Sequence, residues 1–153
     1  MSFYSEGPVI FGGVSATTLT PGAKDPELGA RCNYQGNMYV YAYNAGSDSA
    51  AYPGMIATPV AGASAYSFTI TTTAGLDVPI GVVRNATFAT GAYGWLLTKG
   101  FGPAYTSAAI AAGTALQPAT LGLWTTGATF SVAKLLVATS AATNITGNAY
   151  FNL

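Results

Sequence analysis

The residues that could do chemistry in this chain are few. Its 153 residues hold five carboxylates (Glu6, Asp25, Glu27, Asp48 and Asp77), five cations (Lys24, Arg31, Arg84, Lys99 and Lys134), one cysteine and no histidine. Without an imidazole there is no Ser-His or Cys-His nucleophile system and no histidine-based metal site. Asp25 and Glu27 are the only closely spaced carboxylates, and they flank Pro26. Glycoside hydrolysis needs two carboxyl groups across a cleft, roughly 5 to 9.5 Å apart. Here the run Asp25-Pro26-Glu27-Leu28-Gly29 reads as one surface turn, with Asp25 capping, Pro26 in the first position and Gly29 ending it. Cys32 has no partner for a disulfide and no histidine to activate it, so it reads as a small buried or half-buried hydrophobe. No CxxC, Walker-type loop or GxGxxG is present. Asn85-Ala86-Thr87 and Asn144-Ile145-Thr146 match the glycosylation pattern, but without a secretion signal the match is accidental. These residues imply no enzyme, no cofactor and no metal.

Composition narrows the remaining classes. Only 7% of the chain is charged and 50% is hydrophobic, whereas a typical soluble domain is about a quarter charged. Five scattered cations cannot form a groove that tracks phosphates, so nucleic acid is not an expected partner. No window approaches the ~18 uninterrupted apolar residues of a membrane-spanning helix. The N-terminal run MSFYSEGPVIFGGV has neither a basic start nor a long apolar core, which reads as synthesis and retention in a cytoplasm. The formal net charge is zero, so copies repel each other weakly. A surface this poor in charge is expected to be covered in part by another subunit.

The elements that would position these residues are strands. Met38-Tyr39-Val40-Tyr41-Ala42-Tyr43 alternates with period two, with Tyr34–Asn37 as a tight hairpin turn and Arg31–Tyr34 as the partner strand. The alternation leaves open which face points inward. A Met38/Val40/Ala42 interior would turn Tyr39, Tyr41 and Tyr43 toward a second layer, a loop or a partner, which makes them candidates for subunit contact. The alternative is an aromatic ladder within the domain. Residues 55–60 read as a short strand that Pro59 pushes to an edge. Residues 66–73 read as a strand with Phe68, Ile70 and Thr72 on one face and a threonine row on the other. Further strands are expected over residues 80–88, 94–100, 103–106, 114–117, 120–125, 129–139 and 149–153. Ser107 is expected to cap one helical turn over residues 107–112, and residues 143–148 to form a polar loop. No sequence repeat stands out. Many short strands with Gly/Pro turns indicate a barrel or sandwich and not βαβ units. The fold class is therefore all-β: a small barrel or β-tulip-like domain with at most one short helix over residues 25–153, plus an extended N-terminal arm over residues 1–24. The arm's apolar cluster is Phe3, Tyr4, Val9, Ile10 and Phe11, and an apolar arm either folds back on its own core or lies on a neighbour.

The runs Asp25-Pro26-Glu27-Leu28-Gly29-Ala30-Arg31, Tyr39-Val40-Tyr41, Pro79-Ile80-Gly81-Val82-Val83, Gly91-Ala92-Tyr93-Gly94-Trp95 and Ala112-Gly113-Thr114-Ala115-Leu116, in that order, resemble small structural proteins of tailed bacteriophages. More specifically, they are similar to head decoration (cement) proteins. The resemblance covers residues 25–130 and leaves the arm outside it. It implies a β domain on the outer surface of the virion capsid, often trimeric, that pins major capsid protein subunits through an extended arm, without catalysis. On that reading Phe3, Tyr4, Val9, Ile10 and Phe11 contact the capsid, and Tyr39, Tyr41 and Tyr43 join subunits. A second reading is a receptor- or glycan-binding module of a tail fibre or baseplate, with Tyr52, Tyr66 or Trp124 stacking on sugars. Such a fibre would usually carry a repeat or a coiled-coil stalk, and neither is seen.

Overall fold

Short apolar runs cut by glycine are too brief for helices and suited to strands, and strands are what they form. The computed structural model describes residues 17–18, 27–46, 50–63, 65–70, 78–84, 87–127, 133–135 and 145–153, with backbone alone for 17–18, 133–135, 145–146 and 148. Within them lie β1 (Thr17–Thr18), β2 (Arg31–Tyr34), β3 (Asn37–Asn44), β4 (Ile56–Pro59), β5 (Ser67–Thr69), β6 (Gly81–Val83), β7 (Tyr93–Thr106), β8 (Ala115–Pro118), β9 (Trp124–Thr126), β10 (Ala133–Leu135) and β11 (Ile145–Asn152). All eleven belong to one hydrogen-bonded network, and the fold is all-β. The expected hairpin forms: Gln35 and Gly36 sit at φ 49° and 78°, the two positive values that a two-residue turn between twisted strands requires.

The pairings close two circuits that share β7. In the first, β3 pairs with β7, β7 with β6, β6 with β4 and β4 with β5, all antiparallel, and β5 returns to β3 in parallel. In the second, β7 pairs with β11, β11 with β10, β10 with β8 and β8 with β9, again antiparallel, and β9 returns to β7 in parallel. With the strands of each circuit numbered one to five along the chain, the two orders are identical. The fifth strand of the first circuit is the first strand of the second. The chain thus repeats a topology without repeating a sequence.

β7 serves both circuits because it changes register midway. Before the change, Trp95 and Leu97 face one core and Leu96 the other. After it, Ala104 faces the first core, with Gly102 and Thr106 also buried. A one-residue slip inverts which side chains face inward, and a bulge supplies that slip. The pairing Met38↔Lys99 is followed by Tyr39↔Leu97, which leaves Thr98 unmatched. The Thr98 hydroxyl donates to the Met38 carbonyl at 3.1 Å. Gly100, at φ 121°, completes the turn of the strand.

The sheet β3–β7–β6–β4 carries a core on each face. Tyr39, Tyr41, Ile56, Val82, Trp95 and Leu97 pack with Leu116, Trp124 and Phe151 of the second circuit. Val40, Ala42, Ala57, Val83 and Leu96 pack with Phe68 and Phe88 inside the first. Both faces of β3 are therefore interior.

Several expectations are corrected. Residues 94–100 and 103–106 are one strand, not two, because the bulge lets the chain pass Gly100, Gly102 and Pro103 without breaking. Residues 107–112 form no helical turn; both the backbone N–H and the hydroxyl of Ser107 donate to the Trp124 carbonyl, at 2.9 and 3.3 Å. Residues 145–148 extend the last strand instead of forming a loop. β4 is interior, between β5 and β6, with Pro59 at its end. Among the described residues the one helical element is a 3-10 turn at Thr120–Gly122. Of the arm, only Thr17–Thr18 is described, paired with Gly94 and Tyr93 of β7.

Candidate functional surface

The polar groups buried in the domain are occupied in holding strands together. Asn37, 6% exposed, accepts the Phe101 N–H on its side-chain oxygen at 2.8 Å and so fills the gap opened by the bulge. Asn44 donates to the Phe88 carbonyl at 3.0 Å and accepts the Gly46 N–H at 3.1 Å. The fully buried Trp124 donates its indole N–H to the Gly54 carbonyl at 3.0 Å, and the Tyr105 N–H reaches the same oxygen at 3.0 Å. The two circuits are thereby stitched at one atom. Arg84 donates to the Tyr39 phenol oxygen. Burial pushes the Tyr39 phenol above its ordinary value of 10.0, and the Arg84 charge and hydrogen bond pull part of the way back. Burial likewise raises the Cys32 thiol, the opposite of what a nucleophile needs. Among the described residues no three His, Cys, Asp or Glu side chains gather as a metal site. No helix there is long and apolar enough to cross a membrane.

The exposed large apolar side chains among the described residues are Tyr52, Val78, Phe101 and Leu121. Beyond Gly100, β7 alternates small buried residues (Gly102, Ala104, Thr106) with larger ones on the other face, of which Phe101 is exposed, Pro103 is half-buried and Tyr105 packs half-buried against the first circuit's core. Phe101 is 58% exposed. Its ring meets Tyr150 of β11 edge-on, 5.1 Å between centroids and 63° between planes, and the two are directly paired in register. Leu121 is also exposed. A second surface feature is a groove of about 360 Å³ over the outer end of β3, lined by Arg31, Met38, Val40, Tyr66, Pro79, Ile80, Thr98, Lys99 and Leu153.

The sequence-derived candidates divide clearly. Phe3, Tyr4, Val9, Ile10 and Phe11 lie outside the described residues. Tyr39 and Tyr41, at 1% and 4% exposure, are core residues of their own chain and present no surface to another subunit. They need that depth because β3 is covered on both faces. Tyr41 packs edge-on to Trp95 at 5.2 Å, so the ladder within the domain is what forms. Tyr43 is half-buried against Tyr93 at 4.6 Å. Trp124, proposed for sugar stacking, is fully buried and cannot stack on a ligand. Tyr52 remains exposed and Tyr66 lines the groove. Phe101 and Tyr150 were not singled out from sequence. For Phe101 the signal was the small–large alternation after Gly100, which is visible only when residues 94–106 are read as one strand.

Comparison with protein-family models, with curated proteins and with solved structures finds no match to this chain.

Proposed function

We propose that this chain is a non-enzymatic virion structural protein that binds the outer surface of a phage capsid and stabilises it. Its partner is the major capsid protein, and it acts as a homo-oligomer, with a trimer favoured. The observation that supports this best is the exposed Phe101 ring, set edge-on to the half-buried Tyr150, on a domain whose other described aromatic side chains are mostly packed inside. An exposed aromatic ring on a charge-poor surface suits burial against another protein. The resemblance across residues 25–130 points to the capsid as that protein. A subunit that binds only the expanded shell stabilises that state in proportion to its occupancy, and repetition over a symmetric lattice multiplies modest contacts. The arm residues Phe3, Tyr4, Val9, Ile10 and Phe11 remain the proposed capsid contacts, on a segment whose Thr17–Thr18 pairs with β7.

Two variants test the reading by binding to purified shells. Removal of residues 2–13 is expected to abolish decoration while leaving a folded domain; decoration at wild-type affinity would refute the arm. Phe101→Ser is expected to weaken shell binding or self-association roughly tenfold or more, as loss of an aromatic anchor does, with stability lowered by about 0.5–1.5 kcal/mol through loss of the ring contact with Tyr150. Sedimentation separates the two interfaces, and a stable monomer at high concentration that also ignores shells would remove the proposal.

A further inference from the structure

The two circuits match in register as well as in strand order. In the first, Phe68 pairs with Pro59 and with Asn44; in the second, Trp124 pairs with Pro118 and with Thr106. Three residues back from each proline lie Ile56 and Ala115, and five back from Asn44 and Thr106 lie Tyr39 and Phe101. These positions are joined across the sheet in the same way. Ile56–Val82–Leu97–Tyr39 is a row of direct neighbours in the first circuit, and Ala115–Lys134–Tyr150–Phe101 is the equivalent row in the second. Directly paired residues share a face, so the two rows are the same face of one repeated unit. The inner faces agree too: Ala57 and Leu116, Leu96 and Ala149, and Phe68 and Trp124 hold equivalent positions, and all are buried. The rows differ in what covers them. The first is fully buried, with Tyr39 at 1% exposure, because the second circuit packs over it. The second leaves Phe101 58% exposed, with Ala115 and Tyr150 half-buried. Phe101 thus holds in the open the position that Tyr39 holds in a core.

We propose that this second row is a contact between two copies of the chain, related by a two-fold axis that runs along the strands between Tyr150 and Phe101. The axis sets each Phe101 against the other copy's Tyr150, a self-complementary contact of four rings. It also keeps the two Lys134 positions three strand spacings apart, about 14 Å, beyond the ~8 Å screening length at physiological salt. The chain has no net charge, so copies approach without long-range repulsion. The proposal rests on the reading that the Phe101 face is buried against protein, and it assigns that face to a second copy and not to the capsid. A two-fold contact closes at two copies, so a trimer uses another surface.

The test is sedimentation of the full-length protein from about 1 μM to about 1 mM, where a monomer–dimer equilibrium with a Kd of about 100 μM is expected for a small interface. Phe101→Ser should weaken it roughly tenfold or more. Phe101→Lys, which places like charges inside the contact, should weaken it further. Leu121→Ser removes an exposed apolar side chain outside the row and should leave the equilibrium unchanged. Amide NMR spectra of the variants confirm that each folds. On dilution of the wild type, amide shifts should centre on residues 101–103, 115, 134 and 148–150. A monomer at about 1 mM, a dimer unaffected by either Phe101 variant, or dilution shifts centred elsewhere would overturn the proposal. Shell binding separates it from the capsid reading. A monomeric wild type that loses shell binding with Phe101→Ser overturns the pairing and leaves the capsid reading; a Phe101-dependent dimer that ignores shells does the reverse.

Discussion

Gly100→Ala is the substitution for which the structure makes the sharpest demand. A Cβ at this position would lie 2.0 Å from the Asn37 side-chain oxygen and 3.1 Å from the Asn37 Cα, on a backbone at φ 121°. The backbone strain alone is worth about 1–2 kcal/mol for a non-glycine residue. The Asn37 amide must also move, which breaks its 2.8 Å bond to the Phe101 N–H in a site where Asn37 is 6% exposed. An unsatisfied buried group costs about 1–3 kcal/mol. The expected loss is therefore about 2–5 kcal/mol, read as a fall of about 1 M or more in the urea midpoint for a domain of this size. Gly36→Ala is the control, because Gly36 sits at φ 78° with nothing within 4 Å of its Cβ and so carries the backbone term alone. Asn37→Ala combined with Gly100→Ala removes the clash, and the pair should lose less than the sum of the single changes. If Gly100→Ala costs no more than Gly36→Ala, the bulge is not the joint between the two circuits.

Other consequences are equally specific. Trp124→Phe removes the indole N–H from the Gly54 carbonyl, but Tyr105 still satisfies that oxygen; a loss of about 1–3 kcal/mol is expected in thermal or urea unfolding, against about 3–5 kcal/mol for Trp124→Ala. The Tyr39 phenol is raised above 10.0 by burial, so the folded state holds its proton longer than the unfolded state does. Its contribution is complete below the unfolded value and is lost as pH rises through the folded one. Urea midpoints measured upward from pH 9 should therefore fall in the wild type, and Tyr39→Phe should remove that part of the fall.

The sequence was most legible where a pattern is local. Tyr34–Asn37 is a two-residue turn between alternating residues, and both the turn and the strand after it form as read. The alternation in β3 could not say which face is buried, because each face meets a different core. That depends on strands far along the chain. The same non-local cause hid the joint in β7. Gly100, Gly102 and Pro103 are strand breakers by type, yet the bulge at Thr98 and the Asn37 side chain carry the chain through them. Ser107 looked like a helix cap because its bond to the Trp124 carbonyl joins residues 17 positions apart. The repeated topology left no trace in sequence, since strand order constrains burial and register but not residue identity.

The central functional claim is a location, and imaging tests it directly. Particles from an infected-cell lysate, labelled with antibody against this chain and viewed by electron microscopy, should carry label at regularly spaced positions over the outside of the head. Label confined to the tail tip or fibres, or particles that carry none, would contradict the account.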